Sequence, residues 1–228
     1  MSIIRNGHIH FCAQKTVTCY ILRGKDGDLL IDTGFIGCRH TLRRWLRRYD
    51  VRYVQLTHAH PDHDWNAAWL QKQSAQIMLS EHDRNLRNDF RAQPVQAVFP
   101  QEESRVRMQN LGTSLMRSAA YEPDIYIIDS DADLLKQLGY DAEIVPLPGH
   151  TRGSVGVLSG DVLYCGDAFT MLNGVPEISP TAAYPDLMAE SLERMLKLPV
   201  RWLACGHGLP VRMRDAMPVI ESYLKRVK

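Results

Sequence analysis

Val54-Gln55-Leu56-Thr57-His58-Ala59-His60-Pro61-Asp62-His63, residues 54–63, holds three histidines and an aspartate directly behind an apolar run. Tyr53 to Leu56 reads as a strand, and side chains two apart on an extended segment project to the same side. His58 and His60 can therefore converge on one ion. Pro61 forces a turn, so Asp62 and His63 can face a second point nearby. Imidazole nitrogen and carboxylate oxygen suit zinc, and also iron or manganese. A merely polar loop does not require these four residues at this spacing.

Upstream of this run, Val17 to Leu22 and Leu29 to Ile31 read as strands, the latter stopping at Asp32-Thr33-Gly34. A helix is expected from about Cys38 to Tyr49. Leu42, Trp45, Leu46 and Tyr49 share one face there, and Arg43, Arg44, Arg47 and Arg48 fall mostly on the other. Downstream, a helix around Trp65 to Lys72 leads to a strand at Ile77 to Leu79. Residues from about Glu81 to Pro123 are polar and weakly periodic, which suggests a partly helical insertion or lid. Strands return at Ile125 to Ile128, Glu143 to Leu147, Ser154 to Leu158 and Val162 to Cys165. A helix near Asp186 to Leu198, a strand near Trp202 to Cys205 and a helix near Asp215 to Val227 complete the pattern. Helices falling between strand groups favour a layered α/β or α+β sandwich over a bundle, and residues 1–228 read as one domain.

Three later residues extend the candidate site. His150 follows Leu147-Pro148-Gly149, Asp167 ends Leu163-Tyr164-Cys165-Gly166, and His207 ends Trp202-Leu203-Ala204-Cys205-Gly206. Each is metal-competent and stands behind a glycine at a strand end, where a crowded site needs a close backbone approach. Cys165 and Cys205 read as buried structural thiols, and His8 and His10 as surface or pocket-rim positions sharing a strand face.

Composition narrows the field. With 27 Lys plus Arg against 26 Asp plus Glu, the formal charge is +1, unlike a nucleic-acid clamp. Five scattered cysteines without a CxxC pair suggest neither a disulfide framework nor a thiolate zinc site, and a reducing cytoplasm is expected. No apolar run approaches the roughly 20 residues of a membrane helix, and no signal peptide is apparent.

The run His58-x-His60-x-Asp62-His63, followed by His150, Asp167 and His207, resembles the metallo-β-lactamase superfamily of metal-dependent hydrolases. Leu30-Ile31-Asp32-Thr33-Gly34 resembles its first motif. The resemblance implies a four-layer αββα sandwich with the metal site at one edge of the two sheets. It implies that His58, His60 and His150 bind one metal, that Asp62, His63 and His207 bind another, and that Asp167 bridges them. Asp32 would hold a ligand or the metal loop in place. An aspartic protease needs two such carboxylates, and the chain has one Asp-Thr-Gly.

Within the superfamily the pattern is similar to the glyoxalase II, lactonase and thioesterase group. True β-lactamases generally lack the bridging aspartate, and flavodiiron proteins carry glutamate where His60 stands. About twenty residues follow His207, too few for the helical substrate domain of glyoxalase II, so glutathione thioester binding is not expected. Asp64, Trp65 and Asn66 stand where the family often has small residues, a departure expected to reshape the pocket floor. The tyrosine that lactonases place after the bridging aspartate has no close counterpart, Tyr184 being the nearest candidate for substrate contact.

The expected activity is hydrolysis of a small-molecule ester, lactone or thioester. Two divalent ions, zinc foremost and iron or manganese as alternatives, lower the pKa of a shared water from about 15.7 toward about 7. Asp62 or Asp167 would relay the proton to the leaving group. No nucleophile elbow of the Gly-x-Ser-x-Gly type occurs in the chain. Two other readings share the motif. A persulfide dioxygenase would use one iron, held by His58, His150 and Asp167. A nuclease would draw on Arg39, Arg43, Arg44, Arg47, Arg48 and Arg52, which a solvated helix face explains more simply. The expected partner is a small molecule, with no nucleic acid and no membrane. The insertion at 81–123 and the loop from Phe169 to Tyr184 should shape the pocket, with Met171, Leu172, Val175 and Ile178 as a candidate apolar wall.

Overall fold

The computed structural model describes residues 4–5, 8–13, 17–114, 116, 120–172 and 174–227, the side chains up to residue 16 and of Ser114 excepted. The side chains of His8 and His10 thus lie outside the described residues.

Two sheets form the centre. The larger has seven strands in the order Ile4–Arg5, His8–Ala13, Thr18–Leu22, Asp28–Ile31, Val51–Gln55, Gln76–Ser80 and Ile125–Ile127. Its first four strands pair antiparallel and its last four run parallel. The second sheet has five strands in the order Val211–Arg212, Trp202–Cys205, Val162–Gly166, Val155–Ser159 and Glu143–Pro146.

Alternation along the strands sorts apolar side chains into three layers. Tyr20, Leu29, Ile31 and Met78 of the first sheet meet Ile144, Val157, Tyr164 and Ala204 of the second in a shared inner core. The neighbouring residues Cys19, Ile21, Leu30, Val54 and Ile77 point the other way, against Leu42, Trp45 and Leu46 of the helix Arg39–Leu46 and Leu70 of the helix Ala67–Gln71. Leu163, Cys165, Leu203 and Cys205 turn outward onto Met188, Leu192 and Met195 of the helix Pro185–Lys197 and Ile220 of the helix Met213–Val227. Helix, sheet, sheet and helix therefore stack as the expected αββα sandwich. Burying both faces of each sheet explains why the central strands are almost continuously apolar.

The polar segment after Ser80 folds into short helices, Arg84–Asn88 and Glu103–Ser114 among them, plus a two-residue strand, Gln96–Ala97, paired with Thr181–Ala182. No helix among the described residues is long and apolar enough to cross a membrane.

Candidate metal centre

Asp32, His58, His150, Asp167 and His207 all lie just beyond the carboxyl ends of strands of the two sheets, so the topology gathers them at one edge of the sandwich. The strand Val51–Gln55 carries the chain to Thr57 and His58, both buried. Pro61 then occupies the first position of a single helical turn, Pro61–Asp64, where its missing N–H costs nothing. The turn anticipated at Pro61 is thus helical, and the His60 carbonyl accepts from the His63 and Asp64 N–H groups. This geometry sets Asp62 and His63 beside His60.

Asp32 fastens this loop. Its backbone sits at φ 58°, a conformation unusual for a side chain other than glycine, which aims the carboxylate across the sheet edge. Asp32 Oδ1 accepts from the Thr57 N–H at 2.8 Å, and Oδ2 accepts from Thr57 Oγ1 at 2.8 Å and His63 Nδ1 at 2.8 Å. These contacts tie the loop from Thr57 to His63 to the turn at Asp32.

The second sheet brings the remaining donors. His150 Nδ1 lies 2.8 Å from the Thr181 carbonyl, which can only accept, so Nδ1 carries the proton and Nε2 presents a lone pair. The same logic at Asp32 places a proton on His63 Nδ1 and turns Nε2 toward Asp167 Oδ1, 3.4 Å away. His207 Nε2 is 3.0 Å from Asp167 Oδ2 and 3.4 Å from Asp62 Oδ2. His60 Nδ1 and His150 Nε2 approach to 3.0 Å. Gly206 makes this crowding feasible, because a Cβ there would stand 2.3 Å from Asp167 Oδ1 and 2.7 Å from His63 Cε1. Gly166, at φ 51°, turns the chain so that Asp167 faces the site.

Three sets of ligand atoms can each converge on an ion: His58 with His60 and His150, His58 with His63 and Asp167, and Asp62 with His63 and His207. His58 Nε2, His63 Nε2 and Asp167 Oδ1 are buried without a hydrogen-bond partner among the described residues, the last two facing each other at 3.4 Å. Buried polar atoms are normally paired, so orphans aimed at one point fit a metal centre. Burial and neighbouring imidazoles hold His58 well below the ordinary histidine range, and burial with His150 lowers His60 to about 3. Both are therefore neutral, as ligands must be. Burial opposes charge on His63 and His207 as well, but nearby carboxylates, Asp167 foremost, outweigh it. His63 is raised well above its usual value and His207 to about 9, so a metal there must displace protons.

A cavity of about 270 Å³ opens in front of these groups. His60, Asp62, His150, Asp167 and His207 form part of its lining, and Phe90, Val95 and Arg105 of the polar segment form another part. Of the anticipated apolar wall only Leu172 lines it. Ile178 is buried in the core, Met171 packs against that core, and Val175 is exposed. Tyr184 does not line the cavity; its N–H is committed to the Gly149 carbonyl at 2.8 Å, where it caps the helix Pro185–Lys197. Asp64, Trp65 and Asn66 do not form the pocket floor either. Asn66 Nδ2 donates to the carbonyls of Thr33, Gly34 and Phe35, Trp65 packs on Phe35, and Asp64 accepts from the Tyr121 hydroxyl at 3.0 Å. Trp65 and Asn66 brace the turn after Asp32, and Asp64 ties the helical turn to Tyr121. Cys165 and Cys205 are buried structural thiols, as anticipated.

One organising residue had no signature in the sequence. Asp83, fully buried, accepts from the Ala59 N–H at 3.1 Å, Thr151 Oγ1 at 2.7 Å, the Gly153 N–H at 2.8 Å and Gln93 Nε2 at 3.1 Å. It thereby clamps the loop of His58 and His60 to the loop of His150.

The sequence pattern of the metallo-beta-lactamase superfamily matches residues 14–207. The chain belongs to this superfamily. Hydroxyacylglutathione hydrolase from Xylella fastidiosa (strain M12) is 33% identical over 78 residues, 34% of this chain and 29% of that protein. The protein of the same name from Yersinia pestis (strain Pestoides F) is 32% identical over 85 residues, 35% of this chain and 30% of that one. The matched region thus spans less than a third of these curated relatives. Among solved structures, a metallo-beta-lactamase family protein from Thermus thermophilus superposes with a TM-score of 0.70 at 22% identity, covering 96% of this chain and 78% of that one. At that identity the likeness is one of fold.

Proposed function

We propose that the chain is a metal-dependent hydrolase that cleaves an ester, lactone or thioester of a small molecule at a dinuclear centre. The observation that carries this reading is the convergence of buried atoms on His58, His63 and Asp167 that lack hydrogen-bond partners among the described residues and whose neighbours complete two further ligand groups. His58, His60 and His150 would hold one ion and Asp62, His63 and His207 the other, with Asp167 between them. When bound, a pair of divalent cations polarises a carbonyl and supplies hydroxide at neutral pH. Nitrogen and oxygen donors without thiolate fit zinc, with iron and manganese as alternatives.

The chain's own residues supply the rest. Asp32 and the Thr181 carbonyl hold a proton on Nδ1 of His63 and of His150, so that Nε2 of each would be the atom that turns to a metal. Asp62 and Asp167 are the carboxylates lining the cavity and are placed to carry a proton to the leaving group. Residues 81–123 act as the lid of this site within one domain, a reading supported by Phe90, Val95 and Arg105 in the cavity wall.

Seven donors in two groups favour this reading over a single-iron persulfide dioxygenase. The nuclease reading gains no support, since none of Arg39, Arg43, Arg44, Arg47, Arg48 and Arg52 lines the cavity. A cytoplasmic location is part of the proposal and rests on five scattered cysteines without a CxxC pair. The test combines metal analysis of the purified protein with a panel of lactone, thioester, ester, phosphodiester and β-lactam substrates. Two divalent ions per chain with turnover of an acyl substrate is the expected result. One iron per chain with oxygen uptake on a persulfide overturns it.

A further inference from the structure

Part of the cavity wall is not accounted for by the metal-ligating groups. Arg105, Gln109 and Thr113 of the helix Glu103–Ser114 recur at successive turns and line the same cavity as His60, His150 and His207. The helix is tied in place, because Asn110 Oδ1 accepts from the Val95 N–H at 3.2 Å and Asn110 Nδ2 donates to the Val95 carbonyl at 2.7 Å. Gln93 Oε1 accepts from the Arg152 N–H at 2.6 Å, which joins this segment to the loop of His150.

Charge in this wall is selective. Outside the metal-ligating set, Arg105 is the one charged side chain among the described residues that line the cavity. Glu102 Oε2 accepts from Arg105 Nε at 2.5 Å, which orients the guanidinium and leaves its two terminal nitrogens without a protein partner among the described residues. Such a fork matches a carboxylate at two points. A cationic group on the ligand would find no free carboxylate here once Asp62 and Asp167 serve the metals.

A second, independent observation comes from the second sheet's side of the cavity. Thr170, three positions after Asp167, is 3% exposed and lines the cavity, and its Oγ1 has no hydrogen-bond partner among the described residues. A buried hydroxyl of this kind weakens the fold unless a ligand satisfies it. The cavity's volume of about 270 Å³ lies at the small end of ligand sites. Phe90, Val95 and Leu172 supply apolar surface beside the polar groups.

We propose that the substrate is a short ester or thioester bearing a free carboxylate. Arg105 and Gln109 grip that carboxylate, and the Thr170 hydroxyl donates to a substrate oxygen nearer the scissile bond. This names the substrate class of the proposed hydrolase and rests on that reading. The reaction is hydrolysis: water oxygen joins the carbonyl carbon, the C–O or C–S bond breaks, and a water proton ends on the leaving oxygen or sulfur.

The test uses matched methyl esters and N-acetylcysteamine thioesters of glutaric and pentanoic acid with the metal-loaded protein. The glutaryl member is expected to have the higher kcat/KM by about 10-fold or more, through KM. Arg105→Gln should abolish that preference, and Arg105→Lys should restore part of it. Thr170→Val should lower kcat/KM by about 10-fold while the melting temperature holds or rises, which a structural role for the hydroxyl would not allow. Equal kcat/KM on both acids, or a preference that survives Arg105→Gln, overturns the proposal and leaves the hydrolase reading standing. Equilibrium binding of free glutarate against pentanoate gives a readout independent of turnover. If no ester or thioester is cleaved, the hydrolase reading fails. Glutarate preference in that assay, lost in Arg105→Gln, then supports the carboxylate site alone, and its absence removes both.

Discussion

The seven-stranded sheet delivers four donors from one unbroken run, His58 to His63, whereas the five-stranded sheet delivers His150, Asp167 and His207 from three separate strand ends. The anchoring differs too. One carboxylate, Asp32, fixes the first loop through Thr57 and His63. The second half relies on a main-chain carbonyl at Thr181 and on close packing at Gly206. Asp83 stands between the two and holds the loops in register. A contiguous run is placed by its own local geometry, while scattered donors are placed only by the packing of one sheet on the other.

The broadest test takes one ligand from each half. His60→Ala and Asp167→Asn should each reduce hydrolysis by at least about 1,000-fold, beyond the roughly 10- to 100-fold typical of partners behind the ligands. Circular dichroism should show an unchanged fold. Full activity in either variant would sink the two-metal mechanism.

Breaking the clamp between the halves should cost stability. Asp83→Ala removes the acceptor of four donors; Thr151 Oγ1 and Gln93 Nε2 keep contacts to Ser154 Oγ and the His82 carbonyl, whereas the Ala59 and Gly153 N–H groups are left unsatisfied, at about 1–3 kcal/mol each. A loss of about 3 kcal/mol or more is therefore expected in denaturant unfolding. A loss below about 1 kcal/mol would mean that the loops hold their register without it.

Asp32→Asn probes the first half alone. Asparagine tolerates the positive φ, but its amide nitrogen cannot accept from Thr57 or His63. Metal affinity measured against a competing chelator should fall by about 10- to 100-fold. An unchanged affinity would show that the loop needs no anchor.

The smallest effect is expected far from both halves. Arg44→Gln with Arg47→Gln alters an exposed helix face and should shift stability by no more than about 0.5 kcal/mol. Salt-dependent RNA or DNA binding by the parent protein, lost in this variant, would instead revive the nuclease reading.

The architecture was largely legible because its layers follow simple periods. Leu29 and Ile31 against Leu30, or Tyr164 against Leu163 and Cys165, alternate as a sheet buried on both faces requires. Leu42, Trp45 and Leu46 mark the buried face of the helix Arg39–Leu46. Short elements escaped this reading. The strands Phe169–Thr170 and Val211–Arg212 and the helix Leu134–Gln137 contain too few residues to show a period. The helix Glu103–Ser114 was obscured for another reason: Val106 is buried while Met108 and Leu111 are exposed, so its apolar residues trace no single face.

The candidate donors, His58, His60, Asp62, His63, His150, Asp167 and His207, were legible in the sequence, since residue type, spacing and strand-end position are local properties. Their distribution into ligand groups, the protonated nitrogens of His63 and His150, and the clamp at Asp83 were decided by the tertiary structure. So were the partnerless hydroxyl of Thr170 and the place of Arg105 in the cavity wall. The ligand groups, the protonated nitrogens and the clamp depend on atoms from distant parts of the chain coming together, the clamp and the protonated nitrogens within about 3 Å, the reach of a hydrogen bond. No spacing along a single strand encodes that approach; it follows from burying the faces of two sheets against each other.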